Sequence, residues 1–318
     1  MAAEKNSPRI TDAVLLAAGY GERLRPITLD VPKPALHFLN RPLICRLLDS
    51  LADYGVKRVF INTHHLPEQI VEAASSFRGK MELAFSHEPE ILGTAGLFFD
   101  LKERLHGPFF VLNGDMFLEP QLGMLEERLL RGSEEAVLLL KKRRPGDSYT
   151  PVSLDPEGMV SSIGEGEHFF CGVYAARRLF IDRVTERKKE DLVPLILKPS
   201  IMAGKVGGTV LEGAWHDLGS AKSFLEATRD CLDKMRNGIM RPPPGSRFEA
   251  SLSCSSLIED SAVLGEAVKL KGFAAIGQGC IIGKGAFIEN SVILPGTAVA
   301  EGTKVTGSIV LGGRTAKG

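Results

Sequence analysis

A period of six residues near the end of the chain restricts the fold more than any other feature of this sequence. The positions that recur at this spacing are mostly aliphatic, and they are Ile258, Leu264, Leu270, Ile276, Ile282, Ile288, Leu294, Ala300 and Thr306. Glycine follows the repeat position at residues 265, 277, 283 and 307, where a tight corner would accept little side chain. An antiparallel meander gives no reason for an unbroken period of six, so we expect a regular repeat without insertions.

This pattern resembles the hexapeptide repeat of left-handed parallel β-helices. Six residues on each of three sides give about eighteen residues per coil, and the repeat predicts about three coils whose inward aliphatic side chains stack on one another. We assign this short β-helix to residues 255–312. A linker at residues 239–254 precedes it, because the run Arg-Pro-Pro-Pro-Gly-Ser at 241–246 cannot continue a helix.

Residues 10–238 alternate short apolar runs with longer helical patterns, which predicts an α/β domain with a mostly parallel sheet wrapped by helices. The clearest predicted helix is opened by Pro42 and closed by Gly55. A second predicted helix runs from Thr94, which caps it, to Leu105. The remaining predicted elements are strands at 13–16, 58–62, 81–86, 109–112 and 136–140 and a helix at 67–77.

Composition and charge exclude several broad classes of function. The chain has 39 Lys and Arg against 39 Asp and Glu, so its net charge does not favour nucleic acid or an acidic membrane surface. Five cysteines lie far apart without a CxxC pair, which is typical of thiols in a reducing compartment. The apolar run at 13–18 is too short for the core of a signal peptide, and no window approaches the ~18 apolar residues of a membrane span. We therefore expect a cytoplasmic protein.

A glycine-bearing loop with fixed cations follows the first predicted strand. Gly19 and Gly21 allow a ligand to approach the backbone, and Arg23 and Lys33 follow within a short stretch. Exposed backbone N–H groups, a guanidinium that grips phosphate oxygens bidentately and an ammonium group together suit a polyphosphate. The loop therefore predicts a nucleoside triphosphate site.

Three other interpretations of this loop fit less well. A dinucleotide-binding Rossmann loop would have a third glycine where Leu24 stands, and Pro26 interrupts the helix that should begin there. No Walker lysine motif supports a P-loop. A purely structural loop would leave the glycines and the cations Arg23, Arg25 and Lys33 as a coincidence.

The stretch from Leu16 to Ile44 resembles the signature of the sugar-phosphate nucleotidyltransferases, the NDP-sugar pyrophosphorylases. Three further blocks follow in the order of that family. They are similar to its base-binding loop, to its strand ending in a metal-binding aspartate and to its block with a second such aspartate, and they lie at 88–96, 110–115 and 213–219. The resemblance covers nearly all of residues 10–230 and implies a Rossmann-like, GT-A-like nucleotidyltransferase domain.

The resemblance also implies roles for individual residues. Arg23 and the loop amides are expected to hold the leaving pyrophosphate, and Lys33 the reacting phosphates. Asp115 and Asp217 are expected to bind Mg²⁺, and we count Arg23, Lys33 and Asp115 as catalytic. The residues implied in nucleotide binding are Ala18, Gly19, Gly21, Glu88, Gly93, Thr94, Asn113 and Gly172.

The two aspartates also have simpler interpretations. An acidic residue at the carboxyl end of an apolar strand lies where open α/β sheets bind ligands, which favours a metal. Asp115 could instead form only a turn, and Asp217 could cap a helix that begins near Ser220. His216 is expected to have a packing or supporting role, because an anionic sugar 1-phosphate is already a nucleophile and needs no general base.

The implied reaction joins a nucleoside triphosphate to a sugar 1-phosphate, giving an NDP-sugar and pyrophosphate. Residues 92–96 and the appended repeat resemble mannose-1-phosphate guanylyltransferases, which favours GTP and mannose 1-phosphate. Gly-Glu-Arg in the first loop resembles N-acetylmuramate 1-phosphate uridylyltransferases, so UTP or dTTP with another hexose or amino sugar stays open. The family's sugar-phosphate lysine is missing from 161–166. Lys141, Lys142 or Arg143 could replace it, or could form a solvated charge run.

Two other classes of function are open to the whole chain. Left-handed β-helices of this type are often acyltransferases with a histidine base, but all seven histidines here precede the predicted linker. The repeat therefore fits assembly or regulation better, and we expect a homo-oligomer formed through it. A non-catalytic nucleotide-sugar-binding subunit is the remaining alternative, although such a protein would have less need of both Asp115 and Asp217.

Overall fold

The computed structural model describes residues 10–118 and 121–318. Its N-terminal part contains a nine-stranded sheet and two smaller strand pairs. The strands of this part are β1 Asp12–Leu16, β2 His37–Phe38, β3 Arg41–Pro42, β4 Arg58–Thr63, β5 Glu82–His87, β6 Phe109–Asn113, β7 Met116–Leu118, β8 Ala136–Lys142, β9 Pro151–Leu154, β10 Val160–Ile163, β11 His168–Ala176, β12 Val206–Val210 and β13 Trp215–Asp217.

The large sheet has a parallel centre. Its order is β10-β9-β11-β6-β1-β4-β5, and β8 and β12 extend it beside β11. Strands β6, β1, β4 and β5 run parallel, with Leu16 beside Asn62 on one side and Asn113 on the other. Strand β11 is antiparallel to β6 and β8, whereas β12 is parallel to β8. The predicted mostly parallel sheet is confirmed, and it brings the carboxyl ends of β1, β4 and β6 to one edge.

Both faces of this sheet are covered. Ala13 and Leu15 of β1 belong to one hydrophobic core and Val14 to the other, as the alternation of side chains along a strand requires. The helices are α1 Leu43–Tyr54, α2 Pro67–Ser75, α3 Gly93–Gly96, α4 Phe98–Leu101, α5 Leu122–Arg131, α6 Lys198–Met202 and α7 Ala221–Arg236. Helix α1 is bounded by Pro42 and Gly55, as predicted.

The predicted continuous helix from Thr94 to Leu105 is wrong. The four-residue helices α3 and α4 lie there instead. The amides of Ala95 and Gly96 belong to the first turn of α3, where amides have no partner within the helix, and they donate to the carbonyl of Glu190 at 2.9 and 3.3 Å. The hydroxyl of Thr94 accepts from the Leu192 amide at 2.9 Å and does not cap a helix. A distant segment therefore satisfies the amides at the start of α3, and Leu97, which separates α3 from α4, keeps helical backbone angles.

The C-terminal part contains a seven-stranded and a three-stranded sheet. Its strands are β14 Ser246–Ala250, β15 Cys254–Glu259, β16 Val263–Leu264, β17 Lys269–Ile276, β18 Ile281–Ile282, β19 Phe287–Ile293, β20 Ala298–Val299, β21 Lys304–Thr306, β22 Ser308–Leu311 and β23 Arg314–Lys317. Most of these strands pair in parallel. Strand β14 lies inside the segment assigned to the linker and pairs antiparallel with β15.

The repeat changes its spacing midway. Ile258 lies beside Ile276, eighteen residues later, whereas Ile276 lies beside Ile293, only seventeen residues later. The register shifts within β17, where Gly272 has a φ of +67° and the strand gains one residue relative to β19. The prediction of an uninterrupted period of six is therefore wrong after residue 288, and Val299 is buried where Ala300 had been expected.

The C-terminal part shares a hydrophobic core with the N-terminal part. Phe224 and Leu232 of α7 belong to one cluster with Leu257, Phe273 and Ile309 of the C-terminal strands.

The five cysteines are buried free thiols, as the sequence predicts. None of the helices within 10–118 and 121–318 combines the length and apolar character that crossing a membrane requires.

Candidate functional site

The loop after β1 borders a cavity of about 480 Å³ at the carboxyl edge of the sheet. Gly21 has a φ of +65°, and a Cβ there would lie 3.0 Å from a methyl carbon of Thr28. The Thr28 hydroxyl donates to the Gly21 carbonyl at 2.9 Å, which closes the loop on itself. The predicted site residues that line the cavity are Ala18, Gly19, Gly21, Arg23, Lys33, Gly93, Thr94, Asn113 and Asp115.

Lys33 links the two predicted metal-binding aspartates. Its Nζ lies 2.9 Å from Oδ2 of Asp115 and 3.8 Å from Oδ1 of Asp217. Lys33 is only 5% exposed, and a buried ammonium group is stable only when such partners compensate its charge. Lys33 lies in a single 3-10 turn at 33–35, Asp115 follows β6 and Asp217 ends β13. Three segments that are distant in sequence therefore converge at one point.

Arg23 approaches the same cluster from the solvent side. Its Nη2 lies 3.4 Å from Oδ2 of Asp217, and two-thirds of its side chain is exposed. An exposed ion pair of this length contributes little stability, so the guanidinium is available to an anionic ligand. The other oxygen of Asp217 accepts from the Gly219 amide at 2.7 Å, which fixes the carboxylate. The pairing of both cations with the aspartates is a feature that the sequence did not predict.

The donor chemistry of the cluster fits a hard divalent ion. Asp115 lines the first cavity with its side chain 44% exposed, and Asp217 supplies a second carboxylate to the same ammonium group of Lys33. Within 10–118 and 121–318, no group of three or more His, Cys, Asp or Glu side chains could hold a metal. Mg²⁺ is commonly bound by one or two carboxylates together with substrate phosphates and water, which matches this sparse set.

The simpler interpretation of Asp217 as a helix cap is wrong. Ser220 occupies the N-cap of α7, and its hydroxyl accepts from the Ser223 amide at 3.2 Å. The carboxylate of Asp217 is directed to Lys33, Arg23 and the Gly219 amide instead. Because serine already satisfies the helix terminus, Asp217 is left for the charged cluster.

Glu88 supports the cavity wall from behind. It is buried, and its two oxygens accept from Asn62 Nδ2 and from the Leu92 amide, both at 2.8 Å. Asn62 in turn accepts from the Ala17 amide at 2.8 Å, and it lines the cavity. This chain of bonds joins the first loop, the end of β4 and the second glycine-bearing loop. Asn62 was not identified from sequence, although its place at the carboxyl end of a predicted strand was a usable signal.

A second set of bonds holds Tyr20 of the first loop. Its hydroxyl lies 2.8 Å from Nε2 of His64, and Nδ1 of His64 lies 2.7 Å from the carbonyl of Glu88. The ring of Tyr20 packs edge to face on His64, with centroids 5.2 Å apart. The first loop is therefore anchored to the end of β4 through a side chain as well as through its backbone.

Two predicted glycines permit close packing around the cavity. Gly93 has a φ of +74°, and a Cβ there would lie 2.5 Å from the carbonyl oxygen of Glu190. Gly172 has a φ of +76°, and a Cβ there would lie 2.6 Å from Nδ2 of Asn113. Gly172 does not line the cavity but supports Asn113, which does.

A second cavity, of about 420 Å³, is lined by Asp217, whose carboxylate pairs with Lys33 and Arg23 of the first cavity. Lys141 lines it, and its Nζ donates to the Gly213 carbonyl at 2.7 Å. Tyr149 and Trp215 form an aromatic wall with ring centroids 5.2 Å apart. The remaining lining residues are Lys142, Arg144, Asp147, Phe169, Glu212, Ala214, His216, Ser223, Glu226, Asp230 and Lys234 together with Gly213.

The three cations suggested for the missing lysine differ in position. Lys141 and Lys142 line the second cavity, but Lys142 is exposed and lies 4.0 Å from Glu167. Arg143 is not among the lining residues, and its guanidinium donates to the Asp147 carbonyl at 2.9 Å. Lys141 is therefore the best placed of the three.

His216 is held on the side of α7. Its Nε2 lies 3.0 Å from Oδ2 of Asp230, and its ring stacks on Phe117. Burial lowers the pKa of His216, with Asp230 opposing that shift. The imidazole is therefore neutral near pH 7, and its contacts agree with the packing and supporting role expected from sequence.

Comparison with known proteins gives a family for this architecture. The family model described as nucleotidyl transferase matches residues 12–234, which include the whole charged cluster. Mannose-1-phosphate guanylyltransferase 1 of Arabidopsis thaliana is 29% identical over 290 residues, covering 86% of this chain and 78% of that protein. The mannose-1-phosphate guanylyltransferase catalytic subunit beta of Drosophila melanogaster is 30% identical over 268 residues, covering 80% of this chain and 71% of that protein.

A solved structure supports the fold independently. The crystal structure of HddC from Yersinia pseudotuberculosis superposes with a TM-score of 0.62 at 22% identity. The match covers 70% of this chain and 99% of that one. Together with the family match over 12–234, these findings show that the chain belongs to the nucleotidyl transferase family of enzymes.

Proposed function

We propose that this protein transfers a nucleotidyl group from a nucleoside triphosphate to a sugar 1-phosphate and releases pyrophosphate. The observation that carries the proposal is the contact of Lys33 with both Asp115 and Asp217 at the edge of a glycine-lined cavity. Such a cluster suits a reaction in which two anions must approach each other. Neither substrate needs a general base, because the attacking phosphate oxygen is already charged.

The mechanism is mainly alignment and charge neutralisation. An oxygen of the sugar 1-phosphate attacks the α-phosphorus, and pyrophosphate leaves from the opposite face. Arg23, exposed and only loosely paired, turns towards the leaving pyrophosphate together with the amides of the first loop. Lys33 neutralises the reacting phosphates from its buried position between the aspartates. Asp115 and Asp217 would hold Mg²⁺, which supplies further neutralisation of phosphate charge when bound.

The nucleotide itself occupies the first cavity. The backbone of Ala18, Gly19 and Gly93 approaches the base, while Gly21 shapes the loop around the phosphates. Thr94 and Asn113 complete the wall. Glu88 and Gly172 act as positioning residues, because their contacts are with Asn62 and Asn113 that line the cavity.

The sugar 1-phosphate occupies the second cavity. Lys141 replaces the family's missing lysine, because its partly buried ammonium group lines this cavity and donates to Gly213, in the segment that leads to Asp217. Tyr149 and Trp215 offer aromatic surface to the sugar ring. Because Asp217 borders this cavity and pairs with cations of the first, the two substrates meet there.

GTP and mannose 1-phosphate are the favoured substrates. Several similar proteins are named mannose-1-phosphate guanylyltransferases, and their similarity extends over more than four-fifths of this chain. UTP or dTTP with another hexose or amino-sugar 1-phosphate is the alternative. It is favoured by the Gly-Glu-Arg of the first loop, which resembles N-acetylmuramate 1-phosphate uridylyltransferases.

We further propose a three-part organisation of the chain. A catalytic domain at 10–238 is followed by a linker at 239–254 and by a left-handed β-helix at 255–312, whose parallel strand pairs and near-eighteen-residue register fit such a fold. Val263 and Ile281 are exposed neighbours on one outer face, which suits formation of a homo-oligomer. Buried free thiols fit a cytoplasmic protein.

The test is release of pyrophosphate from purified protein with Mg²⁺. GTP, UTP, dTTP and ATP are each combined with mannose, glucose, N-acetylglucosamine and N-acetylmuramate 1-phosphates. We expect the fastest release with GTP and mannose 1-phosphate. Nucleotide binding without release from any combination would contradict the proposal and would favour a non-catalytic binding subunit.

A further inference from the structure

A third cavity, of about 550 Å³, lies where the N-terminal and C-terminal parts meet. One wall comes from the segment at 31–42 and from α2, and the other from Glu259, Gln278 and residues 294–311. Val31, Leu294 and Leu311 give this cavity apolar surface, so it differs from the charged substrate cavities. No step of nucleotidyl transfer uses it.

The polar groups of this cavity define the charge of its ligand. Glu72 and Glu259 both line it, and no Lys or Arg is among its described lining residues. One oxygen of Glu259 accepts from the amide and the hydroxyl of Ser261. Neither carboxylate has a Lys or Arg partner within 4.0 Å among residues 10–118 and 121–318. Two carboxylates beside apolar surface complement a cation with an apolar body and repel an anionic nucleotide.

His37 is the histidine of this cavity wall. Its Nδ1 is buried and has no hydrogen-bond partner in the described chain. The pKa of His37 falls to about 4, first because the ring is buried and second because of Arg46, while Glu259 opposes the shift. The ring is therefore neutral near pH 7 and does not repel a cation.

We propose that this junction cavity binds a small amphipathic cation, an amine or amidine on an apolar body, and that its occupation is coupled to the nucleotide site through Lys33. Few residues separate the junction cavity from Lys33. Ala35 and Leu36 line the junction cavity, and Lys33 begins the same 3-10 turn. The Ala35 amide donates to the Pro32 carbonyl at 2.9 Å and the Leu36 amide to the Lys33 carbonyl at 3.1 Å, so hydrogen bonds join the cavity wall to the turn that holds Lys33.

The binding part of this inference is independent of the proposed function, whereas the coupling part rests on the proposed triphosphate site. Full-length protein without nucleotide is titrated calorimetrically with benzamidine as the probe. We expect one saturable site per chain, with the dissociation constant raised at least about tenfold by Glu72→Lys, which places a like charge beside the probe.

Glu68→Lys is the matched control, because Glu68 is an exposed residue of the same helix that does not line the cavity. It should leave the benzamidine affinity unchanged. Equal weakening by both variants, absence of saturable binding, or equal binding of benzoate, which has a similar shape and the opposite charge, would each overturn the site.

Coupling is measured as the affinity for GTP with and without saturating benzamidine. We expect a change of about threefold or more, and a reciprocal change of the same size in the benzamidine affinity when GTP saturates. An unchanged GTP affinity, with benzamidine bound, would overturn the coupling while the site stands. Failure of nucleotidyl transfer alone would leave the calorimetric result unaffected, so the two proposals fail separately.

Discussion

The two cavities proposed for the substrates are linked through Asp217, which lines the second and pairs with Lys33 and Arg23 of the first, but they are built differently. The nucleotide cavity is formed by backbone loops and one buried cation, and bonds through Asn62 and Glu88 hold its walls together. The second cavity is formed by long charged side chains and aromatic rings from four separate segments. This difference predicts that nucleotide binding depends on a rigid frame, and that the choice of acceptor depends on individual side chains that substitution can change.

The largest expected effect comes from Asp115→Ala at the nucleotide cavity. Removing this carboxylate removes the shorter contact of Lys33 and half of the proposed metal-binding set, so pyrophosphate release should fall about a thousandfold. The exposed position of Asp115 should leave the fold intact, which circular dichroism checks. Activity near the wild-type level would remove Asp115 from the metal site.

Lys33→Met is expected to lower kcat about a hundredfold, because the buried cation that neutralises the reacting phosphates is lost. The thermal midpoint should change much less than activity, since methionine fills the space and both aspartates retain access to solvent. A thermal midpoint that collapses together with activity would mean that Lys33 serves the fold rather than the reaction.

Lys141→Met tests the second cavity. We expect the KM for the sugar 1-phosphate to rise about tenfold while the KM for the nucleotide stays constant. The reason is that Lys141 lines the proposed acceptor cavity and does not line the proposed nucleotide cavity. Lys142→Met is the matched control and should change either value less than about twofold, since its side chain is exposed. Equal effects of the two variants would contradict the role given to Lys141.

The smallest effect is expected from Glu88→Gln. Glutamine keeps the shape of the side chain but can accept through only one oxygen, so either Asn62 or the Leu92 amide loses its acceptor. Initial-rate kinetics should show the KM for the nucleotide raised about threefold to tenfold, with kcat nearly unchanged. A fall in kcat at constant KM would show that Glu88 acts on the reaction itself.

The nucleotide cavity could be anticipated from sequence to a greater degree than the acceptor cavity. Gly19, Arg23, Lys33 and Asp115 occur in ordered blocks at strand ends, where the parallel sheet brings them together. Asn62 and Glu88 are joined by a hydrogen bond although they lie 26 residues apart in the sequence, and no local pattern reveals such a contact. The same limit applies to helix α3, whose first amides donate to the carbonyl of Glu190, a residue far away in the sequence.

The repeat illustrates a different limit. The period of six marked the C-terminal strands and their spacing in the first half of the repeat. After the bulge at Gly272, the buried position of the repeat lies one residue closer to the N-terminus than the period of six predicts. Both Ile293 and Leu294 are apolar and buried, so hydrophobicity alone does not distinguish the two registers at that point.

The proposed reaction depends most on Asp115 and Asp217 acting as one metal site together with the triphosphate. The most direct measurement is Mn²⁺ binding followed by electron paramagnetic resonance, with a non-hydrolysable GTP analogue present. We predict one tight Mn²⁺ per chain that requires the analogue and is lost in both Asp115→Ala and Asp217→Ala. Tight, analogue-dependent Mn²⁺ binding that persists in both variants would contradict the account.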